Sequence, residues 1–335
     1  SNPTKVQFLN ERFYINGDDG GVTVSDVLST NFDNANVFYG RSTPEPTVTH
    51  YIFNQIIYLF DPDSVEPWQD VSTGAPPVGR INQGIIEGVG CSSINGVTST
   101  DSYMYFIGTD GHAYRVNGFS AQDITNTVIA SHFRGLNVAN VILESISMQG
   151  DKFVIFNFLD DDETWVYSEG SSSWFEIGVD DFGYPISSLV FFGGRWLGGL
   201  NSALGVVELS PDTVINANQP LIRERIISTI SGDDVGEPGV MFEMSKIRFS
   251  METGMAIDSF NFRSPEVMII PSFDGGYTFG KPIFLDLGES GDFTLPVELH
   301  MMQQFRRAVF KIRLTDFYGR FTIFSASIDV RKAGY

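Results

Sequence analysis

Three groups of residues in this 335-residue chain have the types and spacing for chemistry. The first is the turn Ser272-x-Asp274-x-Gly276-x-Thr278-Phe279 inside IIPSFDGGYTFGKPI. A short carboxylate in such a turn accepts backbone N–H groups across it, glycines supply positive φ, and Phe279 is expected to pack inward. The second is basic: Arg306, Arg307, Lys311 and Arg313 in QQFRRAVFKIRL, with Arg223 and Arg225 around Glu224 in LIRERIIST. In an acidic chain these cations either face an acidic partner or pair with carboxylates of the chain itself. Arg306, Arg307, Lys311 and Arg313 are the candidate interface cluster. The third is Asp160, Asp161, Asp162 and Glu163 in FLDDDETW. Four carboxylates at a hairpin tip have the chemistry to hold a hard cation. Consecutive strand residues point to opposite faces, however, and the EF-hand spacing is absent, so a solvated turn is expected.

Other chemistry finds little support. The four histidines, His50, His112, His132 and His300, show neither an i, i+4 pair nor an H-x-x-E arrangement, so no zinc site is expected. There is no G-x-S-x-G elbow and no P-loop. Cys91 is the only cysteine, so no internal disulfide forms, and the thiol reads as a small buried hydrophobe. No catalytic residues, metal or cofactor are therefore expected, and the chain reads as a non-enzyme. The 41 acidic and 21 basic residues leave a formal charge of −20. Nucleic-acid binding rests on cations neutralising phosphates, so tight binding to DNA is not expected. No apolar run is long enough for a membrane helix. The opening SNPTKVQ lacks the layout of a signal peptide, and Ser1-Asn2 reads as the scar of a cleaved expression tag.

The elements that would position these residues are strands. Helical signals are confined to TNTVIASHF at 125–133 and, more weakly, SDVLSTNF at 25–32. Aromatic-rich strand, tight polar turn and second strand recur from Tyr51, Ser102, Asp151 and Ser188, starts that lie 51, 49 and 37 residues apart. Units of about 40–50 residues with several strands each are the mark of propeller blades. Further hairpins stand at QFLNERFYINGDDGGVTVS, at PEVMIIPSFDGGYTFGKPIFLDL and at FRRAVFKIRLTDFYGRFTIFSASIDV. The expected fold is all-β: a single β-propeller over 1–335, six blades favoured and seven possible. Long inter-blade loops and one or two short helices complete it, with strands from both termini sharing the closing blade. STISGDDVGEPGV at 228–240 reads as a surface loop, or as a linker if the fold is instead a pair of sandwiches. The turn at Ser272–Phe279 matches the Asp box of sialidases and other propellers, where it marks the outer edge of a blade. Exposed aromatics such as Trp68, Trp174 and Trp196 would support a carbohydrate-binding or carbohydrate-cleaving propeller as the alternative function. The arginine setting of a sialidase is not recognisable.

The order of segments carries a second resemblance. RFYIN leads to SDVLSTNFDNANVF, then QIIYLFDPDSVEPWQD, GRINQGIIEGVGC and SYMYFIGTDGHAYRVNGFSAQDIT. FVIFNFLDDDETWVYSEGSSSWFEI and FFGGRWLGGLNSALGVVELSPDT follow, before IRERI. Over roughly residues 6–230 this order resembles the packaged-DNA stabilisation, or tail nozzle (tail hub), proteins of short-tailed bacteriophages, which are longer at the amino end. The resemblance implies a virion structural protein of the tail, assembled in the cytoplasm of the host bacterium. It implies a homo-hexameric ring below the portal and adaptor proteins that carries the DNA exit channel and receives the tail needle or tip.

Overall fold

The first and second strands of four repeats are joined by the same kind of turn. Asn10-Glu11, Asn54-Gln55, Gln149-Gly150 and Gly193-Gly194 all have positive φ at both positions. This is the type I′ geometry, whose twist matches that of the flanking strands. The computed structural model describes residues 2–42, 45–179, 182–200, 205–210, 213, 215–216, 219–257, 264–316, 318–319 and 321–333. It is all-β apart from one helix, Thr127–Phe133, and three short 3₁₀ turns among the described residues. Asn126 caps that helix by accepting the N–H groups of Val128 and Ile129, as the 125–133 reading requires. The weaker 25–32 signal is no helix: Leu28 has φ 52° and the Asp26 N–H closes a loop onto Asn31.

The chain forms two compact units, Ser1–Pro211 and Asp212–Tyr335. The first is propeller-like. Five antiparallel meanders follow one another, each built from strands adjacent in sequence. The first sheet holds Pro3–Leu9, Arg12–Gly17, Val22–Ser25 and Phe32–Phe38. The second holds Thr49–Phe53, Ile56–Phe60, Ser64–Asp70 and Val78–Arg80, with Ile86–Glu87 alongside. The third holds Val97–Ser99, Met104–Ile107, Ala113–Asn117 and Ser120–Asp123, and the fourth Val141–Met148, Asp151–Phe158, Glu163–Ser168 and Ser173–Glu176. The fifth holds Ile186–Phe192, Arg195–Leu200 and Val206–Leu209.

Strand alternation gives each sheet two apolar faces, and consecutive sheets meet face to face. Leu9, Tyr14 and Val24 of the first sheet pack on Ile57, Leu59 and Trp68 of the second. Tyr58 and Phe60 on the other face of the second meet Met104, Phe106 and Val116 of the third. Tyr105 and Ile107 of the third meet Leu143, Phe156 and Tyr167 of the fourth, with Phe133 of the helix between them. Ile146, Ile155 and Val166 of the fourth carry Leu189, Trp196 and Leu209 of the fifth. The aromatic stripes are thus the wedge between blades.

The second unit is built differently. One sheet runs Arg223–Ile226, Arg307–Leu314, Glu266–Ser272, Ile283–Asp286, with Ile230–Ser231 also on Arg307–Leu314. The other places Phe242–Met251 between Val297–Phe305 and Ile323–Lys332. Met244, Ile247 and Phe249 share one core with Val267, Ile269, Phe310 and Ile312, so the two sheets form a sandwich.

Several expectations change here. The blade-like sheets number five among the described residues, because the last carboxyl segment is split: Arg307–Leu314 joins the Glu266–Ser272 and Ile283–Asp286 hairpin, and Ile323–Lys332 pairs with Phe242–Met251, in two non-sequential sheets. Among the described residues the termini share no sheet: Pro3–Leu9 pairs with Arg12–Gly17, and Ile323–Lys332 pairs with Phe242–Met251. In place of one domain over 1–335 there are two units, divided at 211/212. Residues 228–240 lie inside the second: Ile230 and Ser231 pair with Ala308 and Arg307, and Gly232–Val235 is a 3₁₀ turn in a Ser231–Asp234 capping box.

Candidate functional site

The Asp-box turn joins Glu266–Ser272 to Ile283–Asp286 in the second unit. Asp274 is held by the turn itself. Its Oδ1 accepts from Ser272 Oγ at 2.7 Å and from the Thr278 N–H at 3.0 Å, while Oδ2 accepts from Thr278 Oγ1 at 2.5 Å. Ser272 Oγ in turn accepts the Gly276 N–H at 2.9 Å. Gly275 and Gly276 have φ of 85° and 96°, the left-handed conformation that the turn demands. The Thr278 hydroxyl and N–H, followed by Ser272, hold the Asp274 carboxyl well below the usual carboxylate range. Phe279 does not pack inward. It is exposed, with the Lys311 ammonium 4.9 Å from its ring centre. With both carboxylate oxygens of Asp274 bonded within its own turn, the motif is architectural.

The basic cluster divides. Lys311 and Arg313, two apart on one strand, both reach Glu224 across the Arg223–Ile226 pairing, at 3.0 and 3.8 Å. Arg306, at the bend before that strand, and Arg307, its first residue, have no ion-pair partner among the described residues. They line a concavity of about 500 Å³ with Asp233, Phe273 and Asp274. The candidate interface is therefore Arg306 and Arg307; Lys311 and Arg313 belong to an internal network.

The acidic tip is a clasp. Asp160 accepts from the side chains of Asn137 and Asn140 at 2.7 and 2.8 Å, and Asp161 accepts the Asn137 N–H at 2.7 Å. Glu163 pairs with His132 at 2.6 Å and accepts from the Trp165 indole at 3.1 Å. No group of three or more His, Cys, Asp or Glu among the described residues is arranged to hold a metal ion. Nor is any helix among them long and apolar enough to cross a membrane. The tryptophans named as exposed are packed: Trp68 is 3% exposed, Trp174 donates to the Ile124 carbonyl at 3.0 Å, and Trp196 donates to the Ser147 carbonyl at 2.8 Å.

Sequence reading missed a polar cluster on the first strands of the blades, which contact one another in series. Lys5 Nζ of the first sheet donates to the Ile94 carbonyl at 3.3 Å and lies 5.1 Å from the centre of the Tyr51 ring. Thr49 of the second sheet donates to the same carbonyl at 2.8 Å. Burial lowers Lys5 to about 8, against the attraction of Cys91 and Glu144. Burial raises Glu144, on the first strand of the fourth sheet, to about 7. His50, fully buried on the second sheet, is lowered to about 3 by burial and then by Lys5; the Tyr14 backbone, which acts the other way, does not offset this. Burial also raises the Cys91 thiol to about 11, leaving it inert. No motif joins Lys5, His50 and Glu144, because they come together only when three blades stack.

These first strands read PTKVQFL, THYIF, VTS, VILESISM and ISSLVFF, with Glu144 as their one carboxylate. Glycosidases of the usual kind flank the scissile bond with two carboxyl groups.

The two ends of the blade series are uncovered. Val6 and Phe8 on the far face of the first sheet are 60% and 58% exposed. On the far face of the fifth, Val190 and Phe192 are 56% and 72% exposed.

No protein-family model and no curated protein matches the chain. Among solved structures, the computationally designed Ika8 protein is similar at 12% identity and TM-score 0.40, over 62% of this chain and 59% of that one. An exo-β-1,3-galactanase from Phanerochaete chrysosporium is similar at 12% identity and TM-score 0.34, over 97% of this chain and 94% of that one. PorZ of the type-IX secretion system of Porphyromonas gingivalis is similar at 9% identity and TM-score 0.35, over 64% of this chain and 26% of that one. Likeness at this level transfers neither substrate nor activity.

Proposed function

We propose that the chain is a non-enzymatic structural protein of a bacteriophage tail, of the nozzle or hub type. In this reading it forms a homo-hexameric ring below the portal and adaptor proteins, carries part of the DNA exit channel and meets the tail needle or tip. The observation that carries the reading is the uncovered apolar face at each end of the blade series, since such faces mark association surfaces. The segment order points to the class of assembly. The charge of −20 suits a wall that DNA passes without sticking. Light scattering combined with negative-stain images tests it: a mass of about six chains and a ring wide enough for duplex DNA are expected. A monomer at every concentration, alone and with portal and adaptor proteins, would sink the reading.

A carbohydrate-binding or carbohydrate-cleaving propeller is the second reading, favoured by the complete Asp-box turn. It expects a hit on a glycan array or turnover of a fluorogenic sialoside. Against cleavage stands the single carboxylate on the first strands of the blades.

A further inference from the structure

We infer that the two uncovered end faces are halves of one interface. The far face of the fifth sheet in one copy packs on the far face of the first sheet in another, continuing the blade series from chain to chain. This deepens the proposed assembly role and rests on it.

Registers define the two faces. In the first sheet Val6 lies opposite Ile15, Ile15 opposite Thr23, Thr23 opposite Val37, and Phe8 opposite Phe13. Directly opposed residues share a face, so these side chains form one surface, turned away from Leu9, Tyr14 and Val24, which cover the second sheet. In the fifth sheet Val190 lies opposite Leu197, Phe192 opposite Arg195, and Val206 opposite Gly199. This face is turned away from Leu189, Trp196 and Leu209, which cover the fourth.

Both surfaces have the β-branched and aromatic content of the four interfaces inside the unit. Arg195 and Glu208 on the fifth sheet pair with each other at 3.3 Å, so the face carries no uncompensated charge. The exposed phenyl of Phe8 sits 5.1 Å from that of Phe13, the aromatic spacing found between the blades.

Direction selects the occupant. Each interface inside the unit sets the later face of one sheet against the earlier face of the next. The series leaves over one earlier face, on the first sheet, and one later face, on the fifth. They are opposite in kind, so two copies meet head to tail rather than through the same patch twice. A heterologous contact of this sort propagates and closes into a ring when the rotation per copy permits.

Disulfide trapping tests this, because buried Cys91 does not compete. The full chain is prepared as V6C and as V190C, and the two are oxidised separately and mixed. The mixture is expected to give a cross-linked dimer on a non-reducing gel, and each variant alone to give none. The double variant V6C/V190C is expected to give a ladder of interchain products. A faster-migrating monomer from the double variant would mean closure within one chain, and a dimer from either single variant would mean same-face pairing; each overturns the inference. An oligomer by light scattering with no cross-link from the mixture overturns it while leaving the assembly role standing. A monomer throughout removes both. F8E and F192E, with unchanged far-UV circular dichroism, are each expected to reduce the mass to that of one chain or an open pair.

Discussion

In the amino-terminal unit the strands of a blade, Ile86–Glu87 apart, hydrogen-bond to the strand next in sequence, and the apolar content is divided among four separate cores. In the carboxyl unit Arg307–Leu314 lies between Arg223–Ile226 and Glu266–Ser272, and one core gathers residues from Phe242 to Tyr318. The same Phe, Ile and Val alternation serves both. What differs is how far along the chain a strand finds its partner. Local pairing makes a modular array whose end modules are left uncovered, and non-local pairing makes a layer structure closed over its own core.

The widest test of that contrast uses fluorescence. All four tryptophans, Trp68, Trp165, Trp174 and Trp196, lie in the first unit. Phe156 and Phe310 are fully buried, one in each unit, and removal of either phenyl should cost about 3–5 kcal/mol. F156A is expected to move the tryptophan-detected urea midpoint down. F310A is expected to leave that midpoint in place while a second transition, seen by far-UV circular dichroism, moves down. A tryptophan midpoint that falls in F310A would show the units unfolding as one.

Acid should separate them next. A buried base whose folded value lies below its unfolded value is stabilising only while neutral. With His50 lowered from 6.5 to about 3, the first unit loses stability as pH falls below 6.5, down to about 3. Glu144, raised from 4.5 to about 7, has the opposite sign: the fold binds its proton more tightly, so its contribution is present below 4.5 and lost as pH rises through 7. Thermal midpoints of the tryptophan signal between pH 4 and 8 are expected to fall on acidification, more steeply in E144Q and less steeply in H50L. An unchanged slope in H50L would show that His50 is not the acid-sensitive group.

How much of this was legible follows from the same contrast. The blades could be read because aromatic strand, turn and strand are consecutive, and the Asn54-Gln55 kind of turn is written in the residues that form it. The Asp box could be read because Ser272, Asp274, Gly276 and Thr278 make a closed local set of hydrogen bonds. The last carboxyl hairpin looked like a further blade, since nothing local says that Ile323–Lys332 pairs with Phe242–Met251 rather than with Arg307–Leu314. The meeting of Lys5, His50 and Glu144 was invisible for the same reason. The burial of Trp68 was hidden too, because an aromatic on a strand looks alike whether solvent or another blade faces it.

The turn offers a smaller test, confined to the second unit. D274A removes the acceptor for Thr278 and Ser272 and should lower the circular-dichroism midpoint without moving the tryptophan midpoint. Asp274 is depressed in the fold, so its contribution is present above the ordinary carboxylate range and lost as pH falls through the folded value. The gap between wild type and D274A should therefore narrow on acidification below pH 4. A gap that stays constant would mean that the neutral acid supports the turn as well as the carboxylate does.

The smallest effect separates the two halves of the basic cluster. Glu224 holds Lys311 and Arg313 in pairs that are a quarter to two-fifths exposed on the basic side. Partly solvated pairs of this kind contribute about 0–1 kcal/mol and weaken with salt. E224A is therefore expected to lower the second unit's stability by under about 1 kcal/mol, with the difference shrinking as salt is raised. Arg306 and Arg307 pair with no described carboxylate, so R306A/R307A should change folding by less than about 0.5 kcal/mol, as surface substitutions do. The same double change is expected to weaken association with an acidic partner surface, and more at low salt than at high. If R306A/R307A costs more stability than E224A, those arginines are held by the fold itself. Their concavity then ceases to be an interface, and the contrast between an internal and an outward half of the cluster disappears.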